Sequence, residues 1–501
     1  MSRPTSAPEQ AGAQPARSRR PNGARLVAGI ALAVVAWSLI WTPLLGDQAL
    51  MLLVGRDVVG GRHLYTEIFD AKQPGMYLWY GAVDALGGPV AVQVVSLAVL
   101  VATAALLVAL LDRRLRPGWV RSWTPLLAAG VLVLGLSPYD LGQTELLMCL
   151  PAAAALLLVA GRTEGRPSAL RAGAAGVCLG VIVVFKTLLV VVPGIAVLVL
   201  LCTSGRRWWA RLLAAAAGGL VVPAAVVAWL AVRGDLAAAL HTWFVYPGQV
   251  LEGADVRDSD RLVSAVLRFG VLMAPALALA LWRVPTALRR RDRLDIAVLA
   301  WLLTGVAAYA IQVWWSYYLL ILLPALVVLA VRQLDDIVAD RASPARRTAL
   351  AGLAVLALPL LAYGVETAAR AIADGGGITG GSPERIAERI GGYTSIEREL
   401  AMIVGPTDVV FVLGDPRYQL IAQRPIPVTT NGWSAGILPA PRWSALAQEL
   451  RTVRPDLVLV DPVSAEAVDE HGAAVGAVLD ELYHPAASGD TGTWYRLAPG
   501  R

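Results

Sequence analysis

The sequence predicts a polytopic α-helical membrane protein that ends in a small α/β domain. Hydrophobic residues make up 57% of the 501 residues, and the mean hydropathy is +0.61. Apolar runs recur at lengths near the roughly 20 residues that cross a bilayer. After residue 382 the composition changes to that of a soluble domain. The net charge of +6 is therefore interpreted as a topology signal and does not indicate a nucleic-acid partner.

Eleven apolar segments are predicted as membrane helices, and the second is interpreted as an entry turn followed by one span from about residue 89. They are 26–45, 76–111, 124–136, 144–160, 172–185, 187–203, 211–232, 262–282, 294–312, 315–331 and 348–365. The three cysteines, Cys149, Cys178 and Cys202, all lie in these apolar segments, which argues against a disulfide framework.

The charge of the connecting loops predicts the orientation. The loops 112–122, 161–171, 204–211, 283–293 and 332–347 are all rich in arginine, as cytoplasmic loops are under the positive-inside rule. The loops between them carry most of the acidic residues of the membrane part. We therefore expect a multi-pass protein of the inner (plasma) membrane, with a cytoplasmic N-terminus and an extracytoplasmic C-terminal domain.

Four further regions complete the predicted organisation. Residues 1–25 have almost no large apolar side chains and are predicted to be a disordered cytoplasmic tail. The transmembrane domain spans 26–365, a glycine-rich linker spans 366–382, and the extracytoplasmic α/β domain spans 383–501.

Three segments of this last domain are predicted to be strands. The segments 408–413 and 456–460 are apolar and resemble buried parallel strands, and 493–497 is predicted as an edge strand. The domain has no G-x-G-x-x-G, Walker A or catalytic-triad pattern. We interpret it as a recognition or packing module.

The external loop 46–88 concentrates charge beside the membrane. It holds Asp47, Arg56, Asp57, Arg62, His63, Glu67, Asp70 and Lys72. Charges at a membrane face are costly unless paired or hydrated, so their accumulation indicates a functional site. An interfacial helix is predicted after Asp47, with a break at Gly60 and Gly61 and a turn from Asp70 to Gly75. This layout brings the acid at position 47 and the cation at position 72 to one membrane face.

Lysine is nearly absent from the chain. Only Lys72 and Lys186 occur among the 43 basic residues, whereas arginine is abundant. A coding sequence rich in G and C replaces lysine where arginine suffices, so the two remaining lysines indicate a need for a compact ammonium. Binding a phosphate as a point charge is such a need. The alternative is that both lysines are chance survivors.

The motif of this loop resembles that of a known enzyme superfamily. Asp47-Gln48-Ala49, followed by the segment 61–75 (GRHLYTEIFDAKQPG), is similar to the first external loop of bacterial glycosyltransferases of the C superfamily. These are relatives of protein O-mannosyltransferases and of the lipid A aminoarabinose transferase. Gln73 replaces the first proline of the usual Lys-Pro-Pro, and Gln48 stands where Glu is frequent. Gln143-Thr144-Glu145 and Phe185-Lys186 match family positions more loosely.

The resemblance implies an inverting transfer of a sugar from a polyprenyl-phosphate donor to a cell-envelope acceptor. Asp47 is then the general base, and Lys72 and Lys186 bind the donor phosphate. The further substrate-site candidates are Asp70, Glu145, Arg62, Tyr65 and Tyr317. The expected partners are the lipid-linked donor, membrane lipid and an envelope acceptor. No cofactor is assigned and a divalent cation is left open, while His63 and His241 lack the spacing of a zinc site.

Other interpretations remain open at this stage. A transporter or flippase of lipid-linked glycans is the main alternative, but it predicts charges near the bilayer midplane in repeated halves. A non-enzymatic scaffold is a third class and has no need for Lys72. At the outer ends, aromatic residues fit either an interfacial belt or stacking on a sugar or isoprenoid. They are Trp243, Phe244, Tyr246, Trp314, Trp315, Tyr317 and Tyr318. In the same way, Glu145 and Lys186 fit either the site or charges at helix ends.

Overall fold

The structure is a computed structural model. It describes residues 22–40, 44–137, 140–160, 167–253, 259–340, 345–373, 394–433, 435–489 and 491–499. The predicted tail lies outside these ranges up to residue 21, and its last four residues, 22–25, are helical. The predicted linker lies outside them from residue 374, and its first eight residues, 366–373, are helical instead of forming a linker.

The membrane part consists of fifteen helices within the described residues. They are α1 Asn22–Ile40, α2 Asp47–Val59, α3 Pro74–Asp112, α4 Trp119–Leu134, α5 Thr144–Ala160, α6 Ala169–Phe185, α7 Val191–Cys202, α8 Trp208–Arg233, α9 Leu236–Phe244, α10 Tyr246–Gly253, α11 Ser259–Leu272, α12 Ala274–Arg290, α13 Arg293–Ala310, α14 Leu323–Ala339 and α15 Ala345–Ala373. Short 3₁₀ turns precede α7 and α14.

Within the described residues, each predicted apolar segment overlaps a helix or a helix pair. Six described helices are long and apolar enough to cross a membrane, and the bent pair α11 and α12 brings the number to seven when it is counted as one span. Four further apolar helices are shorter. The chain is a multi-pass membrane protein, and the number of eleven crossings stays a prediction.

The predicted external loop begins with α2 and ends inside α3. Gly60 ends α2 as expected, and α3 is broken at Gly87 and Gly88, where the φ of Gly88 is +66°. A Cβ on Gly55 would lie 2.7 Å from the carbonyl oxygen of Tyr77, so only glycine permits this approach of α2 to α3. The close contact fixes both ends of the charged loop between these helices.

The C-terminal domain contains a four-stranded sheet. Its strands are β1 Val410–Leu413, β2 Leu457–Val460, β3 Tyr483–Gly489 and β4 Gly492–Leu497, in the order β1-β2-β4-β3. Its helices are α16 Thr394–Ile403, α17 Arg417–Ile421, α18 Ala440–Val453, α19 Pro462–His471 and α20 Ala473–Leu482. Together with the membrane helices, this confirms the predicted fold class.

The two apolar strands pair in parallel, as predicted. The prediction that 493–497 is an edge strand is wrong, because β4 lies between β2 and β3. The sequence did not reveal the true edge strand, β3, because it is largely exposed and contains Pro485 and Gly489, which weaken a strand pattern.

The C-terminal domain packs against the helix that carries Asp47. Leu50 and Val54 of α2 belong to the same buried hydrophobic cluster as Phe411 and Leu413 of β1. Burial of apolar surface contributes about 25 cal/mol per Å². The position of α2 therefore depends on both the membrane helices and the sheet.

The orientation of the chain is testable by labelling. In a background with Cys178 and Cys202 replaced by serine, Glu466→Cys in α19 is expected to react with an impermeant maleimide on intact cells. Arg289→Cys at the opposite end of the bundle is the matched control and is expected to react only after permeabilisation. Both substituted side chains are exposed. Labelling of position 289 in intact cells would contradict the predicted topology.

Candidate functional site

Asp47 lies at the first position of α2 and receives three hydrogen bonds from three parts of the chain. Lys72 Nζ lies 3.1 Å from its Oδ1, and the Trp433 Nε1 donates to the same oxygen at 2.7 Å. The Tyr317 hydroxyl donates to Oδ2 at 3.1 Å. Both carboxylate oxygens are thus held in defined directions.

These contacts keep the acid and the cation ionised. Burial alone disfavours the charge on Asp47 and is the largest effect, but the Lys72 charge and the three hydrogen bonds outweigh it and lower the pKa of Asp47. Burial likewise opposes the charge on Lys72, yet Asp47 and Asp70 together raise the pKa of this lysine. The pair is a carboxylate and an ammonium at neutral pH.

Lys72 has a second acidic neighbour and a fixed backbone. Its Nζ lies 3.6 Å from Asp70 Oδ2, which also accepts a hydrogen bond from the Tyr77 hydroxyl at 2.5 Å. The Tyr65 hydroxyl donates to the Lys72 carbonyl oxygen at 2.8 Å and accepts from Trp243 Nε1 at 3.0 Å. The main chain of the loop at Lys72 is therefore held in place, while the ammonium group faces Asp47 and Asp70.

Tyr65 adopts a backbone conformation that is rare for its residue type. Its φ is +73°, in the left-handed region that costs an L-residue about 1–2 kcal/mol. A hydrogen bond from the Tyr65 N–H to the Ile68 carbonyl oxygen, at 2.7 Å, closes the turn. Strained backbone persists where surrounding contacts stabilise it, and here it directs the Tyr65 ring towards Lys72.

A second ion pair lies beyond the tyrosines. Lys186 Nζ lies 2.6 Å from Glu145 Oε1 and 3.3 Å from the centre of the Tyr318 ring. Tyr318 makes an edge-to-face contact with Tyr317, whose hydroxyl bonds Asp47. Within the described residues, Glu145 Oε2 is buried without a hydrogen-bond partner. The two ion pairs are therefore joined through adjacent aromatic rings.

The loop of Lys72 is also packed directly against the chain before Lys186. A Cβ on Gly75 would lie 2.6 Å from the carbonyl oxygen of Val184 and 2.8 Å from the Phe185 ring. Glycine is thus the residue that allows the start of α3 to touch the end of α6. The contact therefore places the main-chain segments that carry the two lysines side by side.

The C-terminal domain reaches the site through one loop. The indole of Trp433 covers Gly46, where φ is +50° and a Cβ would lie 2.7 Å from the ring. Asp415 Oδ1 accepts the Gly46 N–H at 3.1 Å, and Asn431 Nδ2 donates to the Phe69 carbonyl oxygen at 2.6 Å. The domain therefore contacts both the residue before Asp47 and the loop that carries Lys72.

The structure joins most of the predicted site residues into one network. Asp47, Lys72, Asp70 and Tyr317 are in direct contact, and Tyr65 contacts the main chain of Lys72. The Glu145–Lys186 pair connects through Tyr318, as described above.

Arg62 is directed elsewhere. It pairs with Asp57 at 2.8 Å and donates to the Ile426 carbonyl oxygen at 2.8 Å. It therefore attaches the loop to the C-terminal domain and has no direct contact with Asp47 among the described residues.

Sequence reasoning missed Trp433, Asp415 and Tyr77. Tyr77 follows Lys72 by five residues and lies inside the predicted apolar entry turn, where a tyrosine gives no separate signal. Trp433 follows Asn431-Gly432 in an irregular loop, and its only signal is a large aromatic residue outside any periodic pattern. In the described part of the chain, no group of three or more His, Cys, Asp or Glu side chains has a metal-binding arrangement.

Comparison with solved structures supports the fold. The chain is similar to ArnT from Cupriavidus metallidurans bound to undecaprenyl phosphate, with a TM-score of 0.61 and 16% identity over 95% of this chain and 98% of that chain. For the apo form of ArnT, the TM-score is 0.58 and the identity is 15%, over 94% of this chain and 97% of that chain. For the archaeal oligosaccharyltransferase AglB from Archaeoglobus fulgidus, the TM-score is 0.48 and the identity is 13%, over 95% of this chain and 75% of that chain. No protein-family model and no curated protein sequence matches the chain.

The ArnT comparison spans nearly the full length of both chains. It therefore includes the membrane helices and the C-terminal domain together. The predicted resemblance to glycosyltransferases of the C superfamily is confirmed at the level of the fold.

Proposed function

We propose that the protein is an integral-membrane glycosyltransferase that transfers a sugar from a polyprenyl-phosphate donor to a cell-envelope acceptor. The observation that carries this proposal is the Lys72–Asp47 pair, in which a cation suited to phosphate adjoins a carboxylate suited to act as a base. The ArnT fold, solved with undecaprenyl phosphate in that protein, supports the donor class. The reaction belongs at the extracytoplasmic face of the plasma membrane.

The reaction removes a proton from the acceptor and places negative charge on the leaving phosphate, and the site offers one group for each of these two steps. The acceptor hydroxyl loses its proton to an Asp47 oxygen as its own oxygen attacks the anomeric carbon of the donor sugar. The bond from that carbon to the phosphate oxygen breaks, and the phosphate leaves with the bonding electrons. The Lys72 ammonium stabilises the negative charge that accumulates on the leaving phosphate.

Donor binding also activates the base in this scheme. A carboxylate that contacts an ammonium is a weak base, because the cation favours its ionised form. When a phosphate takes up the Lys72 ammonium, that contact weakens and the basicity of Asp47 rises. Asp70, whose Oδ2 lies 3.6 Å from Lys72 Nζ in the structure, limits how far the ammonium moves.

Lys186 supplies a second cation for the same phosphate. It is held by Glu145, whose side chain is only 1% exposed, and by the Tyr318 ring. Releasing Lys186 to a phosphate leaves a buried carboxylate without its partner, which is costly. We therefore assign Lys186 to a supporting electrostatic role, and Lys72, whose side chain is 27% exposed, to direct contact.

The C-terminal domain is part of the catalytic site in this proposal. Trp433 keeps one Asp47 oxygen oriented after Lys72 has moved to the phosphate, because its hydrogen bond does not depend on the lysine. Tyr317 does the same for the other oxygen. The initial interpretation of the domain as a recognition or packing module is therefore extended to a positioning role.

Replacing Lys72 is expected to weaken donor binding. A hydrogen bond to a charged group contributes about 1.5–3 kcal/mol, so Lys72→Gln is expected to lower the affinity for undecaprenyl phosphate by about 10- to 100-fold. The measurement is a binding titration with purified protein in detergent, with Lys186→Gln as the comparison, for which a smaller loss is expected. Unchanged affinity of Lys72→Gln would reject the assignment.

Replacing Asp47 is expected to lower turnover by about 10²- to 10⁴-fold while donor binding remains. General-base catalysis contributes about 10²- to 10⁴-fold, and Asp47→Asn keeps the shape of the side chain without its basicity. The assay is transfer from a radiolabelled polyprenyl-phosphate sugar in membrane vesicles. Asp57→Asn, further along the same helix, is the control and is expected to have a milder effect. A wild-type rate for Asp47→Asn would overturn the mechanism.

Trp433→Phe is expected to move the acidic limb of the rate–pH profile to higher pH. The hydrogen bond from the indole helps to hold the pKa of Asp47 low, so its loss raises that pKa, and ionisation of the base then requires a higher pH. The expected shift is about one pH unit.

The matched control is Trp443→Phe in the same domain. The Trp443 Nε1 has no hydrogen-bond partner among the described residues, so its removal is expected to leave the profile unchanged. Equal profiles for the two variants would show that Trp433 serves packing alone.

A further inference from the structure

A cavity of about 640 Å³ lies at the opposite end of the helix bundle from Asp47. Helix α14 begins just after the turn that contains Tyr317, and Asp336 lies about 20 Å further along it at 1.5 Å per residue. The cavity forms where α12 and α14 end and α15 begins. Its polar lining includes Arg116, Arg290, Arg346, Asp336 and Asp340.

Two of the arginines share one aspartate and keep most of their hydrogen-bond donors free. Asp336 receives Arg116 and Arg290, each at 2.9 Å, and also Arg283 at 2.5 Å from behind the cavity. A guanidinium has five N–H donors, and Arg116 and Arg290 each use one on this aspartate. Their side chains are 53% and 58% exposed, so the other donors are available to a ligand.

The third arginine has no acidic partner in the described part of the chain. Arg346 makes no ion pair within the described residues, and its Nε is buried without an acceptor. The three arginines and two aspartates of the lining leave one positive charge in excess. A phosphodiester carries one negative charge and several acceptor oxygens, so it complements this lining in both charge and hydrogen bonding.

The rest of the lining is apolar or uncharged. Trp282 and Ile337 line the cavity beside the arginines, and Trp282 is 49% exposed whereas Ile337 is buried. An apolar chain can therefore pack mainly against Trp282. Gln333 also lines the cavity, and its Oε1 has no hydrogen-bond partner in the described part of the chain. This oxygen is itself buried, so a ligand hydroxyl can supply the missing donor only after the Gln333 side chain turns towards the cavity.

We propose that this cavity binds the headgroup of an anionic phospholipid, of the phosphatidylglycerol type, from the leaflet opposite to the Asp47 site. The phosphate contacts Arg116, Arg290 and Arg346, a glycerol hydroxyl contacts Gln333, and the acyl chains lie along Trp282. Basic pockets between membrane helices on the cytoplasmic side are a recurrent form of lipid recognition. This site is separate from the one that carries the proposed transfer reaction.

The test uses delipidated protein in a neutral detergent and follows its thermal unfolding during lipid titration. Dioleoylphosphatidylglycerol is expected to raise the unfolding temperature in a saturable manner. Dioleoylphosphatidylcholine has the same chains and phosphate but a compensating cation and no hydroxyl or N–H donor, so little shift is expected. sn-Glycerol 3-phosphate lacks the acyl chains and is expected to bind more weakly.

The variants separate the cavity from general surface charge. Arg346→Gln removes a charge that stabilises no ion pair among the described residues, so it is expected to weaken phosphatidylglycerol binding about tenfold or more while unfolding without lipid is unchanged. Arg116→Gln is expected to act in the same direction. Arg289→Gln, an exposed arginine of α12 outside the cavity lining, is the matched control and is expected to bind as the wild type does.

Three results would overturn the proposal. They are equal shifts with the two lipids, equal affinity of Arg346→Gln and wild type, and saturation by sn-glycerol 3-phosphate at the affinity of the lipid. The last would identify a site for a soluble phosphate instead. None of these results depends on catalytic activity, so they leave the proposed transfer reaction untouched.

Discussion

The Asp47 carboxylate is the point on which the architecture of the outer end depends. Its partners Lys72, Tyr317 and Trp433 are 25, 270 and 386 residues away along the chain. Bringing such distant groups together costs conformational entropy, and contacts between sequence neighbours do not offset this cost. Packing of α2 against both α3 and the sheet offsets that cost. The site therefore exists only when the membrane helices and the C-terminal domain are assembled together.

The parts of the fold that could be predicted follow from local signals. Apolar runs and arginine-rich loops identify the membrane helices, and two apolar strands identify the parallel core of the sheet. The proximity of Asp47 and Lys72 followed from a short loop between two helices. Trp433 could not be predicted in this way, because its contact with Asp47 depends on how one folded unit docks on another. The direction of the Arg62 side chain could not be predicted for the same reason, since its partner carbonyl at Ile426 belongs to the C-terminal domain.

The Arg283–Asp295 pair and the Lys72–Asp47 pair differ in burial, and this difference determines which of them a ligand can open. The Arg283–Asp295 pair has side chains that are 3% and 0% exposed, and removing one member of such a pair costs about 3–5 kcal/mol. Lys72 and Asp47 are more exposed, at 27% and 15%. A ligand can replace a partner in the second kind of pair at much lower cost. The Lys72–Asp47 pair thus combines charge with access, whereas the buried Arg283–Asp295 pair helps to hold α12 and α13 together.

The contact of Gly75 with the end of α6 has a consequence for how such a site changes over evolution. Because the start of α3 touches the end of α6 there, the spacing of the two main-chain segments that carry Lys72 and Lys186 is a property of the scaffold. Substituting either lysine removes its charge but leaves this spacing unchanged. Adapting the site to an anionic group of another size therefore requires a change at Gly75 or its helical neighbours. In this protein a residue without a side chain therefore determines how close the two lysine-bearing segments lie to each other.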